Sequence, residues 1–365
     1  MKKVLIACGG TGGHFYPGYA VGLELKRRGW EPLFALRKND PAAATLDAAR
    51  LPWTQADITG LSRSLDLTAH AAFVWKAFRA VRLARNVIAD WRPDAVIGTG
   101  GYVSFPFILA ARIAGVPSLI HESNTVFGLA NAACARFAGA VALGLPLGKG
   151  SPRGAIVTGT PVRESFSSPL PRGDAARLFG LDPALKTALV FGGSQGARAL
   201  NSAVFSAELA LAAKNPQLQF LHVSGRLEYP ALLKRNPPPR IKLLEYCDNM
   251  HAAFSSADIV ICRGGAGTAA ELIAEQKPAI LVPLPTAAGQ HQEKNARVLE
   301  KSGCAVMARE SASLEADIAA MLTAILSDDG RLEAMRRSYR TAGFADPLKA
   351  AAAIADLAEK IARRR

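Results

Sequence analysis

The amino-acid sequence predicts an α/β protein built from two doubly wound, parallel-sheet domains, and three observations predict it. Short β-branched or Leu-rich runs alternate with longer Ala-rich helical patterns along most of the chain, which is the rhythm of βαβ units. That rhythm breaks in a Pro- and Gly-rich stretch over residues 145–171 and then restarts. The two halves also begin alike: residues 4–8 lead into Gly9-Gly10-Thr11-Gly12-Gly13-His14, and residues 188–191 into Gly192-Gly193-Ser194-Gln195-Gly196. Each half therefore places a glycine turn between its first strand and its first helix.

In chain order, the first half offers strands at 4–8, 33–36, 95–98, 118–120 and 140–143, and the second at 188–191, 220–223, 241–244, 259–262, 279–282 and 305–307. Residues 67–88 carry the period of a helix, as do residues 347–365, which are Ala-rich and end in three Arg. The expected domains are 1–160 and 161–343, with 344–365 a terminal helix packing back on the first.

Composition sets the limits. With 365 residues and 50% apolar side chains the chain can fill more than one core, and its 32 Gly and 22 Pro follow no period, which excludes disordered and fibrous architectures. The five cysteines, Cys8, Cys134, Cys247, Cys262 and Cys304, are scattered, so neither a disulfide framework nor a zinc site is expected. The N-terminus reads as no export signal, and Arg112 and Arg136 interrupt the two longest apolar stretches, so no membrane span is expected. A net charge of +14 calls for an acidic partner. No helix-turn-helix, zinc-finger or aromatic RNA-binding signature accompanies it, which turns the expectation from nucleic acid to phosphorylated ligands and a membrane surface.

A glycine turn lets backbone N–H groups approach an anion, and the helix N-terminus behind it adds about half a positive charge. The dinucleotide fingerprint fails, because the third glycine of G-x-G-x-x-G would fall at Phe15, and Arg37 and Lys38, not an acid, follow the second strand, which leaves only NADP among the dinucleotides. Neither turn is a Walker A loop. The most informative stretch is Ile259-Val260-Ile261-Cys262-Arg263-Gly264-Gly265-Ala266-Gly267-Thr268-Ala269-Ala270-Glu271, a strand, a turn and a helix with a carboxylate one turn in. Glu271 can accept both hydroxyls of a ribose whose diphosphate lies on the helix N-terminus; the plainer reading is a first-turn acid complementing the helix dipole.

Here the sequence resembles the MurG family of glycosyltransferases. The resemblance also takes in Gly9 to His14 with Pro17-Gly18, Gly98-Thr99-Gly100-Gly101-Tyr102-Val103-Ser104, His121-Glu122-Ser123-Asn124, Gly159-Thr160-Pro161-Val162-Arg163, Gly192 to Arg198, and Gln290-His291-Gln292 with Asn295-Ala296. It spans nearly the whole chain. The chain departs from the family at Ser123, Thr160 and Cys262, where Gln, Asn and Ser are usual, and at Gly267, where a larger apolar residue is common.

The resemblance implies a GT-B fold, two doubly wound Rossmann-like domains with parallel sheets facing across a cleft, and transfer of N-acetylglucosamine from UDP-N-acetylglucosamine to an undecaprenyl-linked MurNAc-pentapeptide. The first domain would take the acceptor and the membrane, the second the nucleotide sugar. Ser194, Arg163 and the backbone of Ala266, Gly267 and Thr268, continuing into Ala269 and Ala270, would face the diphosphate, Glu271 the ribose and the main chain of Cys247 the uracil. Gln292, Asn124 and the Thr11-Gly12-Gly13 loop would lie at the amino sugar. Two other readings share the nucleotide site: a UDP-N-acetylglucosamine epimerase or other GT-B transferase, and a non-catalytic UDP-sugar-binding subunit that recruits a partner to the membrane.

Inverting transfer needs a base for the acceptor hydroxyl and a way to stabilise departing UDP. No D-x-D motif is present, so no cofactor or metal ligand set is expected; leaving-group charge falls to helix N-termini and Arg163, with room for a loosely bound divalent cation. His14 closes the first glycine turn, and an imidazole, titrating at about pH 6.5, suits the base. Glu122 is the alternative, and His121 and His291 are expected to position ligands. An undecaprenyl acceptor brings the enzyme to the cytoplasmic face of the inner membrane as a peripheral protein. On the helix from residue 67, Trp75, Arg79 and Arg82 share a stripe beside Phe78, an apolar patch rimmed by cations suited to an anionic surface. The plainer reading puts Trp75 and Phe78 in the core.

Overall fold

The structure, a computed structural model, describes residues 1–58, 67–148, 150–168, 170–193 and 196–363, apart from the side chains of 67–73. The chain divides into two compact units, Met1–Arg163 with Ala345–Arg365, and Glu164–Phe344.

The first unit is built on β1 (Lys3–Ala7), β2 (Glu31–Arg37), β3 (Trp53–Ala56), β4 (Ala95–Gly98), β5 (Ser118–Glu122), β6 (Ala140–Leu143) and β7 (Ile156–Val157). All pair in parallel, in the order β3-β2-β1-β4-β5-β6-β7. Helices cover both faces, which is why β1 reads as an unbroken apolar run. Leu5 and Ala7 enter one core with Phe107 and Ile108, and Val4 and Ile6 enter the other with Leu25 and Phe34.

That second core also receives Ile354, Ala355, Ala358 and Ile361 of the terminal helix Pro347–Ala362. Asp346 caps this helix by accepting the Leu348 N–H, with Pro347 at its first position. Arg28 ties it further by donating to Asp356 (2.6 Å) and to the Ala352 carbonyl.

The second unit repeats the plan with β8 (Lys186–Phe191), β9 (Leu218–Val223), β10 (Ile241–Leu244), β11 (Ile259–Cys262), β12 (Ala279–Leu281) and β13 (Ala305–Met307), in the order β10-β9-β8-β11-β12-β13. Val190, Ile261 and Ile280 pack one face against Phe205, Ile318 and Leu322. In both sheets the first strand sits between its second and fourth neighbours in sequence, so strand order reverses there. Ligands of doubly wound sheets bind outside the carboxyl ends of the strands at such a reversal. Among the described residues no helix is long and apolar enough to cross a membrane.

Candidate active site

In the first unit the reversal lies between β1 and β4, and the turns leaving these two strands meet. Thr11 is the extended N-cap of the helix Gly12–Arg27, and its carbonyl accepts the N–H groups of His14 and Phe15. Thr11, Gly12 and Gly13 are exposed, with the first-turn N–H groups that a helix leaves without an internal partner. His14 turns inward onto the segment after β4. Its Nδ1 lies 3.1 Å from the Thr99 carbonyl, and the Thr99 hydroxyl donates to the His14 carbonyl at 2.7 Å. A carbonyl only accepts, so Nδ1 carries the proton, and the neutral ring has its lone pair on Nε2. Gly100, at φ +100°, makes this fit possible: a Cβ there would stand 2.6 Å from His14 Nδ1.

Glu122 ends β5 and is buried. Its Oε1 accepts the Asn124 N–H (3.0 Å) and side-chain amide (2.9 Å), and its Oε2 accepts the Gly128 N–H and the Asn131 amide, both at 3.0 Å. Four donors occupy the carboxylate, which holds the loop after β5 and sets the Asn124 amide. His121 is fully buried, and its Nε2 faces the Gly159 carbonyl at 3.1 Å, so Nε2 is the donor. Burial pushes its pKa from 6.5 down to about 4. It holds the 159–163 segment by its backbone, a different job from the ligand positioning expected of it. The next residue, Thr160, has its hydroxyl buried without a hydrogen-bond partner. Arg163 closes the segment with its guanidinium over the Tyr16 ring, 5.8 Å from the centroid.

Asn131 went unread in the sequence. It is buried, bridges Glu122 and the His121 carbonyl at 3.0 Å each, and lies beside Gly100. The available signal was one amide in the otherwise apolar helix Leu129–Cys134.

In the second unit the reversal lies between β8 and β11. The helix Ala266–Glu275 follows β11, with extended Gly265 as its N-cap and no side chain capping it, so the N–H groups of its first turn stand ready for an anion. Ala266, Gly267 and Thr268 are partly exposed, Ala269 and Ala270 buried. Gly264 lets the next helix, His291–Lys301, come close: a Cβ there would collide with the Gln292 carbonyl, and buried Asn295 donates to the Gly264 carbonyl at 3.1 Å. This contact brings Gln292 to the turn, where its Oε1 accepts the Leu284 N–H at 2.9 Å.

Glu271 is half-buried in the second turn, and the first turn holds no acid, so the dipole-complementing reading loses its geometry. Burial, and to a smaller degree Glu271, pushes up the Cys262 thiol. A Cβ on Gly267 would meet nothing within 4 Å, so open space surrounds this position. Cys247 is buried between β10 and the helix Met250–Ser256. Ser194 lies outside the described residues. Among the described residues no group of three His, Cys, Asp or Glu side chains is placed to hold a metal ion.

The helix Leu67–Trp91 buries Ala80, Ala84 and Ile88 in the first unit. Trp75 and Phe78 are each 60% exposed, with stacked rings 6.1 Å apart, and Arg79 and Arg82 are exposed beside them. The core reading of this pair is therefore excluded.

Residues 4–143 match the glycosyltransferase family 28 N-terminal domain and residues 187–351 its C-terminal domain. The UDP-N-acetylglucosamine–N-acetylmuramyl-(pentapeptide) pyrophosphoryl-undecaprenol N-acetylglucosamine transferase of Elusimicrobium minutum is 40% identical over 362 residues, covering 99% of this chain and 100% of its own length. The crystal structure of Acinetobacter baumannii MurG superimposes with a TM-score of 0.80 at 30% identity, over 99% of this chain and 100% of that one. A UDP-N-acetylglucosamine 2-epimerase shares the fold alone, at 15% identity and a TM-score of 0.64, over 97% of this chain and 94% of its own. Fold and matches together define a GT-B glycosyltransferase. The chain belongs to glycosyltransferase family 28.

Proposed function

We propose that this protein transfers N-acetylglucosamine from UDP-N-acetylglucosamine to the undecaprenyl-linked MurNAc-pentapeptide of peptidoglycan synthesis, forming lipid II. The observation that carries this reading is the 40% identity to a transferase of that name over 99% of the chain. Product analysis with labelled UDP-N-acetylglucosamine and lipid acceptor tests it. Disaccharide-lipid is the expected product; an epimerised nucleotide sugar or no product overturns it.

In the reaction we assign, His14 Nε2 takes the proton of the acceptor hydroxyl as that oxygen bonds to the anomeric carbon. The bond to UDP breaks on the opposite side, and UDP leaves with the electron pair. The hydrogen bond from Nδ1 to the Thr99 carbonyl supports His14 as base, because it puts the lone pair on Nε2 before substrate arrives. Four hydrogen bonds to Glu122 favour a positioning role for that carboxylate, holding Asn124. The uncapped N-terminus at Ala266, Gly267 and Thr268, with Arg163 and Ser194, receives the diphosphate, where N–H dipoles and a guanidinium stabilise the developing charge. Glu271 takes the ribose, Cys247 the uracil edge by its main chain, and Gln292 the amino sugar.

The acceptor lipid places the enzyme peripherally at the cytoplasmic face of the membrane. Exposure of Trp75 and Phe78 beside Arg79 and Arg82 supports this helix as the docking surface.

A further inference from the structure

Behind the turn that follows β8 lies a polar chain that the reaction above does not use. Asn201 and Glu208 stand on the helix Arg198–Lys214 and His222 on neighbouring β9, and all three are completely buried. Glu208 Oε1 lies 2.9 Å from His222 Nδ1, and His222 Nε2 lies 3.3 Å from Asn201 Oδ1. The Asn201 amide donates to the Ser224 carbonyl at 2.7 Å.

The partners fix the direction of both bonds that Asn201 makes. The Ser224 carbonyl only accepts, so the Asn201 nitrogen faces it and Oδ1 faces the ring. Nε2 must then carry a proton. The remaining proton of the pair sits between Nδ1 and Glu208, as imidazolium with carboxylate or as neutral imidazole with carboxylic acid, and the pair is neutral overall in both forms. Such a chain is a poor device for stability. Glu208 Oε2 is buried with no hydrogen-bond partner, a desolvation cost that an apolar side chain would avoid.

The far end of the chain shows what it holds. The Ser224 carbonyl lies against Gly196 at φ +80°, where a Cβ would stand 2.5 Å from that oxygen. Gly196 and Ala197 lead into the N-terminus of the helix Arg198–Lys214, at the carboxyl end of β8 and thus at the strand-order reversal.

We propose that Glu208, His222 and Asn201 form a buried positioning relay for the donor's diphosphate, acting through the Ser224 carbonyl on Gly196 and the helix N-terminus behind it. The proposal rests on the second unit being the donor-binding unit. None of the three touches a ligand; each sets the next.

The test uses the full-length enzyme, steady-state kinetics in UDP-N-acetylglucosamine and calorimetry with UDP and with uridine. His222→Phe keeps a ring against Phe205, whose centroid is 5.8 Å away, and Asn201→Leu keeps the amide's shape. Both should raise KM for the nucleotide sugar about tenfold with kcat within about threefold, since a misplaced anchor weakens binding more than chemistry. UDP should weaken by about the same factor and uridine hardly at all, because only UDP carries the diphosphate. Glu208→Gln should stay near the unaltered enzyme, as its amide can donate to Nδ1 and leave the Nε2 proton in place. Equal losses for UDP and uridine overturn the relay, as does a lowered melting temperature with unchanged KM. Should the first two variants not fold, Asn201→Asp, which turns a carboxylate on the Ser224 carbonyl, must separate UDP from uridine, and equal binding of the two by that variant overturns the relay. Failure of the donor reading shows instead in the unaltered enzyme, as absent UDP binding, and takes the relay with it.

Discussion

The turn after β1 hands its helix a histidine at the third position, whereas the turn after β11 hands its helix no titratable side chain until Glu271, in the second turn. Both are glycine turns at a strand-order reversal, and both leave first-turn N–H groups open to an anion. In the first, Gly100 admits the His14 ring to the Thr99 carbonyl, so one ring nitrogen is committed and the other is the acceptor. In the second, Gly264 admits a neighbouring helix instead, and the turn collects Gln292 and Glu271 around a bare backbone. In the function proposed above, one backbone device thus serves proton transfer in one unit and ligand holding in the other. What separates them is the side chain that the glycine makes room for.

The contrast breaks first at His14. His14→Ala should lower turnover by about 10²–10⁴-fold with UDP binding nearly intact, as expected of a general base. Glu122→Ala should instead lower the melting temperature, because four donors, among them the buried Asn131 amide, lose their acceptor. If Glu122→Ala folds normally and shows the turnover loss while His14→Ala does not, the two roles are reversed.

The next effect is one of pH. His121 has its folded pKa pressed from 6.5 to about 4 by burial, so between these values the unfolded chain binds more protons than the folded one. Its contribution is whole above pH 6.5 and is lost as pH falls towards 4, by roughly 3 kcal/mol at most. His121→Gln, which can still donate to the Gly159 carbonyl, should flatten that part of the stability profile in denaturant titrations. An identical profile in the variant would exclude His121 as its source.

A smaller effect sharpens the holding side of the comparison. Glu271→Ala should weaken UDP-N-acetylglucosamine binding by about 1–3 kcal/mol, the scale of hydrogen bonds to a charged group; unchanged affinity by calorimetry removes the ribose role. Smallest are the cations of the docking helix. Arg79→Ala and Arg82→Ala should each weaken binding to anionic vesicles by about 1 kcal/mol, less so at high salt. Vesicle binding that survives replacement of Trp75, Phe78, Arg79 and Arg82 together moves the docking surface elsewhere.

Much of the fold was legible because parallel strands buried on both faces write continuous apolar runs, as at β1, β8 and β11. The strands β3 and β7 were not. Both lie at sheet edges, where Trp53–Ala56 is only half buried and Ile156–Val157 is exposed, so neither needs an apolar run. The glycine turns and His14 were legible from spacing. Glu208 and His222 were not paired, because 14 residues separate them and they meet only when a helix is laid on its neighbouring strand.

By itself, then, the sequence determined the α/β class, the two repeats, the family and the places where backbone N–H groups cluster. These depend on local periodicity and on residue types at short spacing. Only the tertiary structure decided what surrounds each side chain there. It committed Glu122 to four donors, sank His121 below the surface, left Trp75 and Phe78 outside the core, and chose Nε2 as the acceptor nitrogen of His14. His14 and His121 each turn on a carbonyl brought from a distant segment, Thr99 and Gly159, and hydrogen-bond direction and burial exist only once the chain has folded.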